Sequence, residues 1–150
     1  MSDPGRTAEH AIEINAAPAA VWRALTEIAQ MNLWLGEPSM MVDVVTDWVV
    51  GGPITIRGFH HVHFENTGTV LAFEPERLLR YSHLSSIARV PDVPENHAIL
   101  EFRIAPVAAG TSLTLVLSRC HDEVTFKHLD FYWRVTLGIL AAFVTARQAL

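Results

Sequence analysis

The chain has 150 residues, 50% of them hydrophobic and 18% charged, which fits one domain with a sizeable core and excludes a globally disordered polypeptide. Eleven Lys and Arg stand against sixteen Asp and Glu, a formal charge of −5; this balance argues against nucleic acid as the main partner, because phosphate neutralisation needs a basic face. The single cysteine, Cys120, cannot close an internal disulfide and fits a reducing cytoplasm.

The residues Glu9-His10-Ala11-Ile12-Glu13-Ile14 alternate polar and apolar and predict a strand. Pro18 then opens a helix in which Val21, Trp22, Leu25 and Ile28 recur at helical spacing. A second short helix through Met31 and Trp34 is stopped by Gly36 and Pro38. From residue 40 to 118 the signals are strand-like. Strands are expected at 41–45, from Ile54 to Arg57, at 69–74 after a loop ending in Asn66-Thr67-Gly68, and at 78–84. A Pro-rich polar linker, 85–96, reads as a mobile loop over one end of the sheet. The clearest strand is 97–104, with Ala98, Leu100, Phe102 and Ile104 on one face. A hairpin at Ala108-Ala109-Gly110 joins it to Leu113, Leu115 and Leu117.

The chain ends in a long helix, about 122–146, with Asp122 or Glu123 at the positive end of its dipole. Phe126, Leu129, Trp133, Leu137, Leu140 and Val144 form one stripe; Phe131, Tyr132, Val135, Ile139 and Phe143 widen it beyond a normal surface helix. The sheet can cover one side of such a helix. A ligand cavity, the short helices or a second subunit must cover the rest. The first ten residues lack the order of a signal peptide, and the apolar run 135–146 is shorter than the about 20 residues of a membrane span. The fold class is α+β: a curved antiparallel sheet wrapped around a long C-terminal helix, with two short helices after the first strand. It forms one domain over 1–150 with its core at about 9–146.

Several stretches in this order resemble a known family. They are Ala17-Pro18-Ala19-Ala20-Val21-Trp22-Arg23-Ala24-Leu25-Thr26, then Trp34, Gly51-Gly52, Gly68-Thr69-Val70 and Glu74-Pro75-Glu76-Arg77-Leu78. Leu100-Glu101-Phe102, Gly110-Thr111-Ser112-Leu113-Thr114-Leu115 and Trp133 complete the set. The chain resembles the START-like (SRPBCC, helix-grip) superfamily, and within it proteins similar to the C-terminal domain of the activator of the heat-shock protein 90 ATPase. It departs from many relatives at His83, where they carry a tryptophan. The resemblance implies a cavity between sheet and last helix but no single activity, since members include lipid carriers, cyclase-type enzymes, hormone receptors and chaperone cofactors.

Candidate ligand-binding residues follow from the faces. Leu79, Tyr81 and His83 share one side of a strand; Leu100, Phe102 and Leu115 face inward; Leu129, Tyr132, Trp133 and Leu137 look back from the last helix; Trp34 stands on the second short helix. Arg57, Phe59 and His61 join this set if Gly58 hosts a bulge that turns them inward, where Arg57 could hold a carboxylate. Such a lining suits a small hydrophobic or aromatic molecule; the other reading of the same residues is a filled core. The cluster of His60, His61 and His63 lacks an HExxH pattern and a thiolate pair, so no metal site is assigned. No GxSxG, P-loop or GxGxxG is present, so no catalytic residue and no cofactor are assigned. The expected function is noncatalytic binding of a small apolar molecule in the cytoplasm, without membrane insertion, with homodimerisation compatible. The alternatives are a cyclase- or hydratase-like enzyme using His83 or Tyr81, and a chaperone cofactor or stress-related interaction protein.

Overall fold

A computed structural model describes residues 6–148. In chain order the elements are β1 (Ala8–Ile14), α1 (Pro18–Thr26), α2 (Ile28–Trp34), β2 (Asp43–Thr46), β3 (Pro53–His60), β4 (Val62–Glu74), β5 (Leu78–Ser85), β6 (Ala98–Val107), β7 (Gly110–Ser118) and α3 (Glu123–Gln148). The strands form one antiparallel sheet in the order β1-β7-β6-β5-β4-β3-β2, so β1 and β2 are its outermost strands. Strands made next to each other in sequence pair next to each other in space, and only β1 returns to close the far side against β7. The three helices pack on the inner face, giving the helix-grip arrangement.

Alternation decides which side chains enter the core. On β6 and β7, Leu100, Phe102, Ile104, Leu113, Leu115 and Leu117 are buried. The outward Glu101 lies between two guanidiniums, Arg80 Nε donating to it at 2.6 Å and Arg103 Nε at 2.5 Å. Burial alone would raise the Glu101 carboxyl, but these two bonds outweigh it and hold the group below its ordinary range. At the start of α3, Asp122 accepts from the Thr125 backbone N–H at 2.8 Å and caps the helix. Of the expected stripe, Leu129, Trp133, Leu137, Leu140 and Val144 are all at most 5% exposed, while Phe126 at its start is half-buried.

Between helices and sheet the space is taken by rings. Trp22 meets Phe73, Phe73 stacks on Trp48, Trp48 lies against Tyr81, Tyr81 stacks on Phe102, Phe102 meets Trp133, and Trp133 meets Trp34, with centroids 5.1 to 6.4 Å apart. The indoles are anchored as well as packed: Trp34 Nε1 donates to the Ala24 carbonyl at 2.8 Å and Trp48 Nε1 to that of Thr26 at 2.7 Å.

Two strand expectations change. β4 begins at Val62, so Asn66, Thr67 and Gly68 lie inside it, opposite Ile56, Thr55 and Ile54. Gly68 is there because its backbone crosses close to β5: a Cβ at this position would stand 1.7 Å from the Ser82 carbonyl oxygen. The bulge lies in β4, where the register with β5 shifts between Val70 and Ala72, while β3 pairs without a break through Gly58. With Ile54 and Ile56 buried and no shift at Gly58, Arg57 and Phe59 project from the opposite, outer face. The segment 85–96 is not a plain loop; it holds two single turns of 3₁₀ helix, Ser86–Ala88 and Pro94–Asn96.

The helix that contains the short apolar run 135–146 is itself 26 residues long. By length and composition it could cross a membrane, with a mean hydropathy of 1.3 in its most apolar window and a third of that window buried. Its inward stripe instead makes it the central helix of this domain.

Candidate binding site

The residues expected to line a cavity fall into three places. Leu79, Tyr81, Leu100, Phe102, Leu115, Leu129, Trp133, Leu137 and Trp34 come together, each at most 5% exposed, packed on one another between sheet and helices. His83 and Tyr132 sit at the margin of this group. Arg57 and Phe59 lie on the outer face near the β3–β4 hairpin, and His61 is the hairpin turn itself, in left-handed backbone at φ 65°. His61 therefore does not share a strand face with His63; its ring meets that of His60 instead, 4.6 Å away. Among the described residues no group of three or more His, Cys, Asp or Glu side chains is placed to hold a metal ion.

The titratable groups in the core and at its margin have shifted acidities. Burial raises the Tyr81 hydroxyl far above its ordinary value, and Tyr132 lies near it. Tyr132 is itself pushed up to about 12 by burial, and its Oη donates to the Leu35 carbonyl at 2.5 Å, tying α3 to the end of α2. Cys120 is buried and its thiol is raised to about 11 by that burial, which leaves it an unreactive core group. His83, on the inner face of β5, is lowered to about 4, first by burial and then by His97 and His128. A depressed imidazole is neutral in the fold and takes up a proton on unfolding. Its contribution is therefore present above about pH 6.5 and lost as pH falls towards 4. Stability at pH 7 should exceed that at pH 4.5 by about 2 kcal/mol through this group. Urea titrations of wild type and His83→Gln at both pH values check this; an unchanged difference in the variant would assign the pH slope elsewhere.

Two cavities stand out. One, of about 210 Å³, lies between the helices and is lined by Ala20, Arg23, Gln30, Val144, Arg147 and Gln148. The larger, about 410 Å³, is a cleft at the hairpin end of the sheet, lined by Met40, Met41, Arg57, Gly58, Phe59, His63, Phe64, Glu65 and Ser86. Its construction follows from the local sequence. Pro38–Met40 forms a 3₁₀ turn that ends in Met41 at φ 49°, which sets two thioether side chains beside β3. Gly58 lies opposite Phe64 in the register, and a Cβ on it would meet the Phe64 ring at 2.6 Å, so glycine lets that ring lie across the strand. Phe59 meets His63 edge to face, 5.0 Å between centroids. Arg57 Nε donates to Glu65 at 3.0 Å, with both side chains about half exposed. Of the residues expected at a site, Arg57 and Phe59 line this cleft; Met40, Met41, His63, Phe64, Glu65 and Ser86 were not among them. The pairing of Gly58 with an aromatic across a tight hairpin was the signal available for Phe64.

The model of the family described as Activator of Hsp90 ATPase homolog 1-like protein matches residues 15–145. The chain belongs to this family. Solved structures agree over nearly the whole chain. A protein of Chromobacterium violaceum is 22% identical, covers 93% of this chain and 97% of its own, and superposes with a TM-score of 0.79. One from Cytophaga hutchinsonii is 28% identical over 96% and 97%, with a TM-score of 0.77. The Aha1 dimer from Colwellia psychrerythraea is 22% identical over 93% and 96%, with a TM-score of 0.74. No curated protein matches the chain.

Proposed function

We propose that this family member binds a small hydrophobic or aromatic molecule, without catalysis, in the cleft at the hairpin end of its sheet. The observation that carries this reading is the cleft itself: about 410 Å³, walled by two methionines and two phenylalanines. Small-molecule sites are clefts of this order, mostly apolar with a few polar groups that orient the guest, and thioethers adapt to irregular ligands. Arg57 and Glu65 satisfy each other in the free protein, and Arg57 can turn to an anionic group on the guest.

The test uses an anilinonaphthalene sulfonate, an apolar fluorophore with one anionic group. Wild type should bind it, and the double variant Met41→Glu with Phe59→Glu, both exposed positions, should bind at least tenfold more weakly. Val135→Glu on α3, a helix that contributes no residue to the cleft lining, should bind as wild type does. Equal binding by the double variant, or loss in Val135→Glu alone, would remove the cleft as the site.

A second reading, self-association, is supported by the Colwellia relative, whose structure is of a dimer, and by the large apolar side chains that α3 leaves in solvent.

A further inference from the structure

α3 is apolar on both sides, and its outer side offers the self-association reading, on which this inference rests, a defined surface. Opposite the buried stripe, Val124, Phe131, Val135, Gly138, Ile139 and Ala142 fall within an arc of about 100° at the helical repeat. Val124 is 77% exposed, Phe131 64%, and Val135 and Ile139 each 49%. None of the charged residues of the helix lies in this arc, and His128 is the one titratable side chain on it. The charges at its flank are already satisfied within the helix, Lys127 by Glu123 at 3.4 Å and Arg134 by Asp130 at 3.3 Å. They would not confront the same charges of a facing copy unneutralised.

Gly138 is the second, independent observation. A glycine in the middle of a helix weakens it, and here the protein's own packing does not call for one: a Cβ at 138 would meet nothing within 4 Å. A missing side chain on an exposed helix face is useful where another backbone comes close.

We propose that α3 of one chain packs antiparallel on α3 of a second copy through this arc, around a two-fold axis near Val135. That axis sets Phe131 across from the partner's Ile139, with the partner's Gly138 beside it giving the ring room. The arc runs about 27 Å along the helix, and its large side chains expose on the order of 400 Å². This is the size of the largest apolar patch on a typical single-chain protein, roughly 300–600 Å² and often functional, and about half of the ~800 Å² that one side of a standard interface buries. The pair should therefore be reversible, with a dissociation constant in the micromolar range.

Size-exclusion chromatography with light scattering tests it. Wild type at about 100 µM, well above a micromolar dissociation constant, should approach twice 16.7 kDa and fall towards the single-chain mass on dilution. Phe131→Glu and Val135→Glu, whose side chains already meet solvent, should stay at 16.7 kDa with an unchanged thermal midpoint in dilute solution. Gly138→Leu, for which the single chain has room, should weaken the pair at least tenfold. A wild type that dimerises while both Glu variants still do so overturns this surface and leaves self-association standing. A wild type that stays single at every concentration overturns both, and its co-sedimentation with phosphatidylcholine vesicles would give the arc to a lipid surface instead.

Discussion

Trp133→Ala is expected to lower stability by about 4 kcal/mol, in the range for emptying a buried aromatic site. The indole is 3% exposed and holds three elements at once. It meets Phe102 of β6 at 5.4 Å, Trp34 of α2 at 6.3 Å and Tyr132 of its own helix at 5.2 Å. Alanine leaves a void that Trp34 cannot fill without giving up its bond to the Ala24 carbonyl. Trp133→Phe keeps a ring in the series and should lose about half as much. Urea unfolding followed by circular dichroism measures both. A loss under about 1 kcal/mol for the alanine variant would mean that the ring is not what keys α3 to the sheet.

Gly68→Ala should be nearly as damaging, about 3 kcal/mol, although it adds one methyl group. The added carbon would lie 1.7 Å from the Ser82 carbonyl oxygen and 2.6 Å from its carbon, both backbone atoms of a paired strand. No side chain can rotate away, so β4 must separate from β5 where Ser82 Oγ also accepts the Thr69 N–H at 2.9 Å. Gly138→Ala is the internal control with the opposite sign: in dilute solution it should gain up to about 1 kcal/mol from helix propensity alone. If the two variants were equally stable, the close crossing at Gly68 would not exist in solution.

These two glycines mark where sequence reading stops. Composition treats them alike, and Asn66-Thr67-Gly68 carries every local signal of a loop. It is strand because the long β4 must cross close to β5 there, a tertiary demand that local preference does not encode. The inner faces of β6, β7 and α3 were legible, because a period of 2 or 3.6 names buried positions without knowledge of the neighbours. The surplus on α3 was legible as a surplus but not as a location. Val135 and Ile139 have the same chemistry whether they face a hollow, a partner or water; in the fold they lie half-exposed on the side of the helix away from the rings of Trp34, Trp48, Tyr81 and Phe102. Arg57 and Phe59 were singled out, but the bulge that would have turned them inward lies at Leu71. They reach the cleft from the outer face, beside a hairpin whose Phe64 was hidden in the stretch read as loop.

The outermost strands carry a last consequence. β2 is only four residues long and begins with an exposed Asp43, while β1 presents exposed Glu9 and Glu13. Brief, acidic borders make poor templates for a stranger's backbone, and a two-fold helix contact consumes the very patch that forms it. Crowding such molecules should give pairs that stop growing, not fibres.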